Sequence, residues 1–124
     1  MALAQLADEA FVLFPRHRVP RVHDHVLAVF DTAGFRPRSI THALQYTTML
    51  AFVAAGRGAA LVPGSVHAIR TEDVRLLPVS DPHATTDLSI AWHGSSSAAL
   101  RAFLDAAGTV ASQTARRYSD GCLR

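Results

Sequence analysis

The chain has 124 residues, a hydrophobic content of 49% and a formal net charge of +2 at pH 7. This length corresponds to one domain and is sufficient to bury a core. All of its basic residues other than histidine are Arg. The absence of Lys excludes Schiff-base chemistry, pyridoxal phosphate attachment and a phosphate-loop lysine.

Charge and hydropathy also limit the partners. The Arg residues are scattered along the chain, so we expect no direct contact with DNA. No apolar run reaches the roughly 18 residues that a membrane span requires, and the start lacks the basic and apolar regions of a signal peptide. We therefore expect a cytoplasmic protein that does not interact with membranes. The lone Cys122 cannot form an internal disulfide, which agrees with a reducing compartment.

The first third of the chain predicts a strand, a helix and a second strand. Residues 1–10 form a lead-in with one helical turn around Leu3 and Leu6. The apolar run 11–14 predicts a buried strand that Pro15 ends, and residues 38–43 predict a second strand. Residues 22–33 predict the helix, because apolar residues recur at helical spacing before Gly34. Those residues are Val22, Val26, Val29, Phe30 and Ala33.

The stretch from residue 46 to residue 63 organises the fold. Its apolar residues at helical spacing predict an amphipathic helix. They are Tyr46, Met49, Leu50, Val53 and Ala54. Gly56 can end this helix in the left-handed conformation, and residues 59–62 then predict a buried strand that stops at Pro63. The alternation of strands and helices predicts an α/β fold, an open and mainly parallel sheet of βαβ units.

Beyond Pro63 the pattern is looser. We predict a short helix at 65–70, an edge strand at 74–79 and a polar connection at 80–86. A last strand at 88–92 and a helix at 96–107 follow, with the serines at 95–97 offering an N-cap. Residues 116–124 are expected to be frayed.

These segments resemble the effector-binding domain of LysR-type transcriptional regulators. The resemblance is carried by the residues that run from Phe52-Val53-Ala54-Ala55-Gly56-Arg57-Gly58 into Ala59-Ala60-Leu61-Val62-Pro63, and by Leu6–Arg16, Ala33–Pro37, Leu88–His93 and Ser95–Leu104. These matches follow in order over roughly residues 3 to 107, which makes them more specific than any single motif.

The resemblance implies a fold like that of type 2 periplasmic binding proteins, and it implies a division of the chain. Residues 1–10 would be the lead-in, 10–80 effector subdomain II, 85–116 a strand and helix returning to subdomain I, and 117–124 a tail. A strand and helix without the rest of their subdomain expose backbone groups and an apolar face. We therefore expect a homo-oligomer, with possible exchange of C-terminal segments, in which the helix at 22–33 would also face a partner subunit.

The same resemblance implies a small organic effector, and the helix dipole favours an anionic one. Parallel sheets bind ligands beyond the carboxyl ends of their strands, and the N-terminus of the helix starting near residue 46 suits a carboxylate. The predicted ligand contacts are Phe14, Arg16, Gln45, Thr47, Thr48 and Val62.

Each of these residues also has a structural explanation. Thr47 and Thr48 could cap the helix, and Arg16 could pair with a surface acid. Phe14 and Val62 could belong to the core, and Tyr46 could serve in packing.

Metal and nucleotide sites are not expected. His23 and His25 are two residues apart on a predicted helix, so they diverge, and we expect both on its surface. The turn Gly56-Arg57-Gly58 follows a helix and precedes a strand, which is the reverse of a dinucleotide-binding motif. We therefore expect no metal and no cofactor.

Two other functions compete with effector sensing. A hydrolase could use Ser65, His93 and Asp87, but the glycine two positions after the serine of a nucleophile elbow is missing, so we expect no catalytic residues. A stand-alone oligomerisation module derived from a regulator is the stronger rival. The sequence as a whole favours the sensing portion of a LysR-type regulator that lacks the winged helix-turn-helix.

Overall fold

The computed structural model describes residues 1–69, 71–87, 89–94 and 97–119. It forms two units, Met1–Thr86 and Asp87–Arg124, and each is described by itself below. None of the helices in the described residues is both long and apolar enough to span a bilayer.

The first unit is built on a small parallel sheet. Strand β1 (Phe11–Leu13) pairs in parallel with strand β2 (Ile40–His42), in a register that sets Phe11 opposite Ile40. On the other side of β1, the Ala59 carbonyl accepts a hydrogen bond from the Val12 N–H at 2.8 Å, and the Ala59 N–H donates to the Ala10 carbonyl, just before the strand, at 2.8 Å. The two predicted strands at 11–14 and 38–43 are therefore confirmed in shorter form.

The predicted strand at 59–62 is reduced to that single bridge at Ala59. Two residues that flank this run limit its pairing. Gly58 before it has a φ of +129°, and Pro63 after it has no N–H to donate to a ladder. Ala60 and Val62 still pack against the core. The apolar run correctly indicated burial beside β1 but not the length of the ladder.

Two helices follow the strands as predicted. Helix α1 (Pro20–Thr32) begins two residues earlier than expected, because a proline fits the first turn, where its missing N–H is not needed. Helix α2 (Tyr46–Ala54) ends as predicted before Gly56, which has a φ of +69°.

The sheet separates two apolar clusters. Because successive side chains of a strand point to opposite faces, Phe11 and Leu13 join Val29 and Phe30 of α1, whereas Val12 joins Met49 of α2. Phe30 is fully buried, and its ring centroid lies 4.5 Å from that of Phe11 and 5.1 Å from that of Phe35. The first unit therefore has a packed core of its own.

The ends of the first unit are joined through backbone groups rather than through a strand. The predicted strand at 74–79 is wrong, since no strand is assigned there. The α-amino group of Met1 donates to the Pro78 carbonyl at 2.9 Å, and the Ser80 N–H donates to the Met1 carbonyl at 3.0 Å. Pro78 supplies a carbonyl but no N–H, which limits a continuous ladder.

The predicted turn around Leu3 and Leu6 is confirmed as a 3-10 helix, Leu3–Leu6.

The short helix predicted at 65–70 is present as a second 3-10 helix, Gly64–Ala68. Its one buried side chain, Val66, belongs to the core of the first unit. Arg70, at the end of the predicted range, lies outside the described residues.

The second unit is dominated by helix α3 (Ala98–Ser119), which runs well past the predicted end at residue 107. Ser97 Oγ accepts a hydrogen bond from the Leu100 N–H at 3.2 Å, so the predicted N-cap is confirmed at this serine. Ser95 and Ser96 lie outside the described residues, as do residues 120–124 of the predicted tail.

The last predicted strand, at 88–92, is wrong over its described part. Residues 89–92 have no strand assignment, and Leu88 lies outside the described residues. The apolar side chains there are exposed, with Ile90 47% and Trp92 54% accessible. A strand requires a neighbour to bond with, and the described residues of this unit contain no other strand.

Candidate functional site

The candidate site is the edge of the sheet at which the parallel strands end. Three segments emerge there, 14–16 after β1, 44–48 after β2 and 62–65 after the Ala59 bridge. We call this set of residues the carboxyl edge. All six predicted ligand contacts belong to it, because parallel strands share the direction in which their chains leave the sheet.

The N-terminus of α2 lies on this edge without a side-chain cap. Its N-cap residue, Gln45, has an extended backbone (φ −142°, ψ 151°) and makes no capping hydrogen bond through its side chain. Gln45, Thr47 and Thr48 are all exposed. Capping by the threonines, the structural alternative, is therefore wrong. The first N–H groups of the helix have no intrahelical acceptor, so they are available to an anion.

An aromatic pair borders the start of α2. The ring of Phe14 meets the ring of Tyr46 edge to face, with centroids 5.0 Å apart. Burial raises the pKa of the Tyr46 phenol. The structure thus confirms a packing role for Tyr46, and Phe14 and Val62 are half-buried side chains that pack against the cluster around Val12.

Arg16 forms a bidentate ion pair at the same edge. Its Nε and Nη2 donate to the two carboxylate oxygens of Asp24 at 2.7 and 3.0 Å. The Arg16 hydrogen bond holds the pKa of Asp24 below its ordinary value, and Asp24 raises the pKa of Arg16. Both side chains are exposed, so the pair contributes little to stability. It does fix the direction of the guanidinium.

The sequence interpretation was wrong about His23. This side chain is buried, with 8% of its surface accessible, whereas His25 is exposed as expected. His23 Nδ1 lies 2.7 Å from the Phe14 carbonyl oxygen, and its ring centroid lies 6.1 Å from that of His42. The spacing contained the signal, since His23 precedes Val26 and Phe30 by three and seven residues, which places the three on one face of α1.

The edge brings its predicted contacts into two groups. Phe14 joins Tyr46 and, with Val62, the cluster on the α2 face of the sheet. Arg16 turns instead toward Asp24 of α1. The resulting surface has an apolar aromatic part and a cationic part, which is an arrangement that suits a small organic anion.

An apolar cavity of about 200 Å³ also lies within the first unit. Of the six predicted contacts only Val62 lines it, and the other walls come from the N-terminal residues 1–6, Phe11 of β1, α2, the run 59–62 and the segment 74–79. This cavity is therefore a feature of the interior beside the sheet and is distinct from the rest of the carboxyl edge.

Other chemistries find little support in the described residues. Within them, no three His, Cys, Asp or Glu side chains form a cluster that could hold a metal ion. Ser65 lies in the 3-10 helix Gly64–Ala68 rather than in a strand-to-helix elbow. Asp87 and His93, its partners in the hydrolase alternative, belong to the second unit.

Comparisons with known proteins converge on one family of transcriptional regulators. The LysR substrate binding domain family matches residues 1–112. The HTH-type transcriptional regulator TfdS of Cupriavidus pinatubonensis is 40% identical over 106 residues, which are 85% of this chain and 36% of TfdS. BenM of Acinetobacter baylyi is 35% identical over 89 residues, 72% of this chain and 29% of BenM. The chain thus spans about a third of the length of these relatives.

The fold has a solved counterpart. A structure described as the BenM effector binding domain with its effector benzoate matches 67% of this chain and 37% of that chain, with a TM-score of 0.61 and 34% sequence identity. The similarity supports an α/β fold of the periplasmic-binding-protein kind with a parallel sheet. These relatives and this family are transcriptional regulators rather than enzymes.

Proposed function

Because this chain belongs to the LysR substrate binding domain family, we propose that it is the part of a LysR-type transcriptional regulator that senses a small organic anion. Binding would occur at the carboxyl edge, with Phe14, Arg16, Gln45, Thr47, Thr48 and Val62 as the contacts. The regulator would exist in two arrangements of its subunits that engage DNA differently. The effector would bind one arrangement more tightly and so increase its population. This chain would itself make no contact with DNA.

The observation that carries the proposal is the uncapped start of α2. Its first N–H groups have no side-chain cap, Thr47 and Thr48 at this end of the helix are exposed, and the Phe14 and Tyr46 rings pack edge to face beside them. A carboxylate could accept from the N–H groups while an apolar body lies against the rings. The benzoate in the BenM structure combines these two features.

Titration with benzoate tests this directly. We expect residues 14–16 and 45–48 to show the largest changes in backbone amide chemical shift, and the chain to become more stable by about 2.7 kcal/mol at a hundredfold excess over Kd. Thr48→Val should weaken binding, while Thr86→Val, exposed elsewhere in the first unit, should not. Changes spread evenly over the chain, or unaltered binding by Thr48→Val, would contradict the assigned site.

A second candidate function is an oligomerisation module, and the exposed apolar surface of the second unit favours it. Phe103 is 59% and Val110 60% accessible on α3, and burying them against another copy would be favourable. We propose that copies associate through this helix, with exchange of C-terminal segments as one form. Light scattering should give a mass above the monomer's 13.3 kDa, and Phe103→Asp should lower that mass. An oligomer that forms but does not bind benzoate would favour this candidate over sensing.

The fold-level details are also proposals. We propose the type 2 arrangement of a periplasmic binding protein, with residues 10–80 as subdomain II and 85–116 as part of subdomain I. The parallel pairing of β1 with β2 and the bridge at Ala59 support it, because together they place β1 in the middle, as in doubly wound sheets.

A further inference from the structure

The apolar cavity of the first unit extends from the core to the surface. Its volume is about 200 Å³, and all of residues 59–62 line it. Leu3 and Phe11 in its lining are 1% exposed, whereas Leu77 is 46% exposed. Its walls include members of both apolar clusters, with Phe11 from the α1 side of the sheet and Val53 from the α2 side. The cavity therefore lies where the sheet ends beside residues 59–62, and it reaches solvent.

The lining of the cavity favours an uncharged, apolar molecule. Among the described residues that line it, Arg75 is the only one with a polar side chain. Arg75 is exposed, as expected for a charged group that stays in water while its aliphatic stem covers apolar surface. A buried water or a charged ligand needs several polar partners. The lining side chains do not supply them, so they select against polar occupants.

One wall of the cavity is held mainly by side-chain packing. This wall is the segment 74–79, which forms no strand. Within the described residues, its first four members make no hydrogen bond to another segment. The chain is fastened only beyond them, where the Ser80 N–H donates to the Met1 carbonyl at 3.0 Å and the Asp81 carboxylate accepts from the Leu3 N–H at 2.9 Å. The wall can therefore shift to admit a ligand without breaking a ladder.

The volume of the cavity suits a single aromatic ring. Apolar cavities of about 150 Å³ stay dry and take up benzene. An apolar occupant gains dispersion contacts with lining atoms on several sides, and its own surface is removed from water. Both effects favour binding of a ring without any hydrogen bond.

We propose that this cavity is a binding site for a small uncharged aromatic hydrocarbon, separate from the proposed effector site on the carboxyl edge. The effector site has the uncapped start of α2 with exposed Thr47 and Thr48, which suit an acidic group. The cavity has apolar walls, and Val62 is the one predicted effector contact that also lines it. Binding in the cavity orders the segment 74–79. The inference does not rest on effector sensing, because the cavity lining carries it alone.

The test is titration of the full chain with benzene. We expect the largest changes in backbone amide chemical shift at residues 50–53, 59–61 and 74–77, and slower amide hydrogen exchange at 74–77. Ala60→Leu enlarges a side chain of the lining and should weaken benzene binding about tenfold. Ala51→Leu makes the same change at an exposed position of α2 and is the matched control, which should bind as the wild-type chain does.

Two further measurements separate this site from the effector site and test the chemistry of its ligand. Benzene should bind equally well in the presence of saturating benzoate, and Arg75→Gln should not weaken it, since the ligand has no charge. Displacement of benzene by benzoate, or a large loss in Arg75→Gln, would overturn the inference.

The inference is also overturned if benzene leaves the chemical shifts of the lining residues unchanged near its solubility limit, or if Ala60→Leu and Ala51→Leu bind it alike. Should Ala60→Leu fail to fold, Val74→Phe, at another lining position, takes its place, and the chemical shifts of the wild-type chain decide in either case. A chain that binds benzene but not benzoate would contradict the proposed function alone.

Discussion

The two units of this chain have similar fractions of apolar residues but use them differently. All the buried core residues of the described chain, from Leu3 to Val66, belong to the first unit. In the second unit, none of the side chains whose burial is described, at 87, 89–94 and 97–114, is buried. Helix α3 is nevertheless amphipathic in sequence, with Leu100, Leu104 and Ala107 less exposed than their neighbours.

The difference shows that helical periodicity and burial are separate properties. A helix forms from local spacing and a cap, and Ser97 supplies the cap for α3. Burial needs a second surface of matching shape, which the sheet provides for α1 and α2. Stability should therefore be concentrated in the first unit, and substitutions of equal chemistry should have unequal effects in the two units.

The largest contrast should come from two phenylalanines. Phe30→Ala removes a fully buried ring between Phe11 and Phe35 and should cost about 4 kcal/mol of unfolding free energy. Phe103→Ala on α3 removes a ring that is 59% exposed, and it should cost less than about 1 kcal/mol in the monomer. Amide hydrogen exchange at increasing urea concentrations would measure the loss of unfolding free energy in each variant. Equal losses would refute the contrast between the units.

A backbone substitution tests the Ala59 bridge within the first unit. A Cβ at residue 58 would lie 2.6 Å from the Ala10 carbonyl carbon, and φ there is +129°. We expect Gly58→Ala to cost roughly 3 kcal/mol, since it combines strain with overlap.

Gly56→Ala is the matched control for this substitution. Residue 56 has a φ of +69° but no atom within 4 Å of a built Cβ, so the cost should be about 1 kcal/mol. Thermal unfolding of both variants would rank them. If Gly56→Ala were the more damaging change, the close approach to Ala10 would not be what requires glycine.

Alkaline pH should affect the first unit through Tyr46. Burial raises the pKa of this phenol in the folded state. The unfolded chain therefore loses the phenolic proton first, at pH values near 10, and folding stability falls as the pH rises through the folded pKa. Tyr46→Phe keeps the ring contact with Phe14 and should weaken this dependence. Urea midpoints between pH 8 and 11 would measure it, and an identical slope in the variant would assign the effect to other groups.

The smallest effect should come from the exposed ion pair of Arg16 and Asp24. Arg16 lowers the pKa of Asp24 in the folded state, so the associated stability is present above pH 4 and is lost as the pH falls through the folded pKa. Asp24→Asn should slightly flatten the acid limb of the stability profile. Glu72→Gln, in an exposed turn, serves as the comparison, and a larger change in that variant would exclude Asp24 as the source.

For the candidate site, the sequence predicted which residues lie together on one edge of the sheet but not how their side chains are engaged. The strand and helix pattern placed Phe14, Arg16 and residues 45–48 together, because parallel strands end at a common edge. It did not reveal that Arg16 turns to Asp24 or that no threonine caps α2. The burial of His23 was missed because this residue was judged by its divergence from His25, whereas its spacing to Val26 and Phe30 places it on the buried face of α1.

The sequence by itself determined the elements that depend on local chemistry. Helices α1, α2 and α3, the cap at Ser97 and the turn at Gly56 follow from spacing, capping and backbone freedom within a few residues. The tertiary structure alone decided which apolar runs became strands. Residues 11–13 and 40–42 found partners and formed a ladder, whereas 74–79 and 89–92 did not, because strand hydrogen bonds join segments that are distant in sequence.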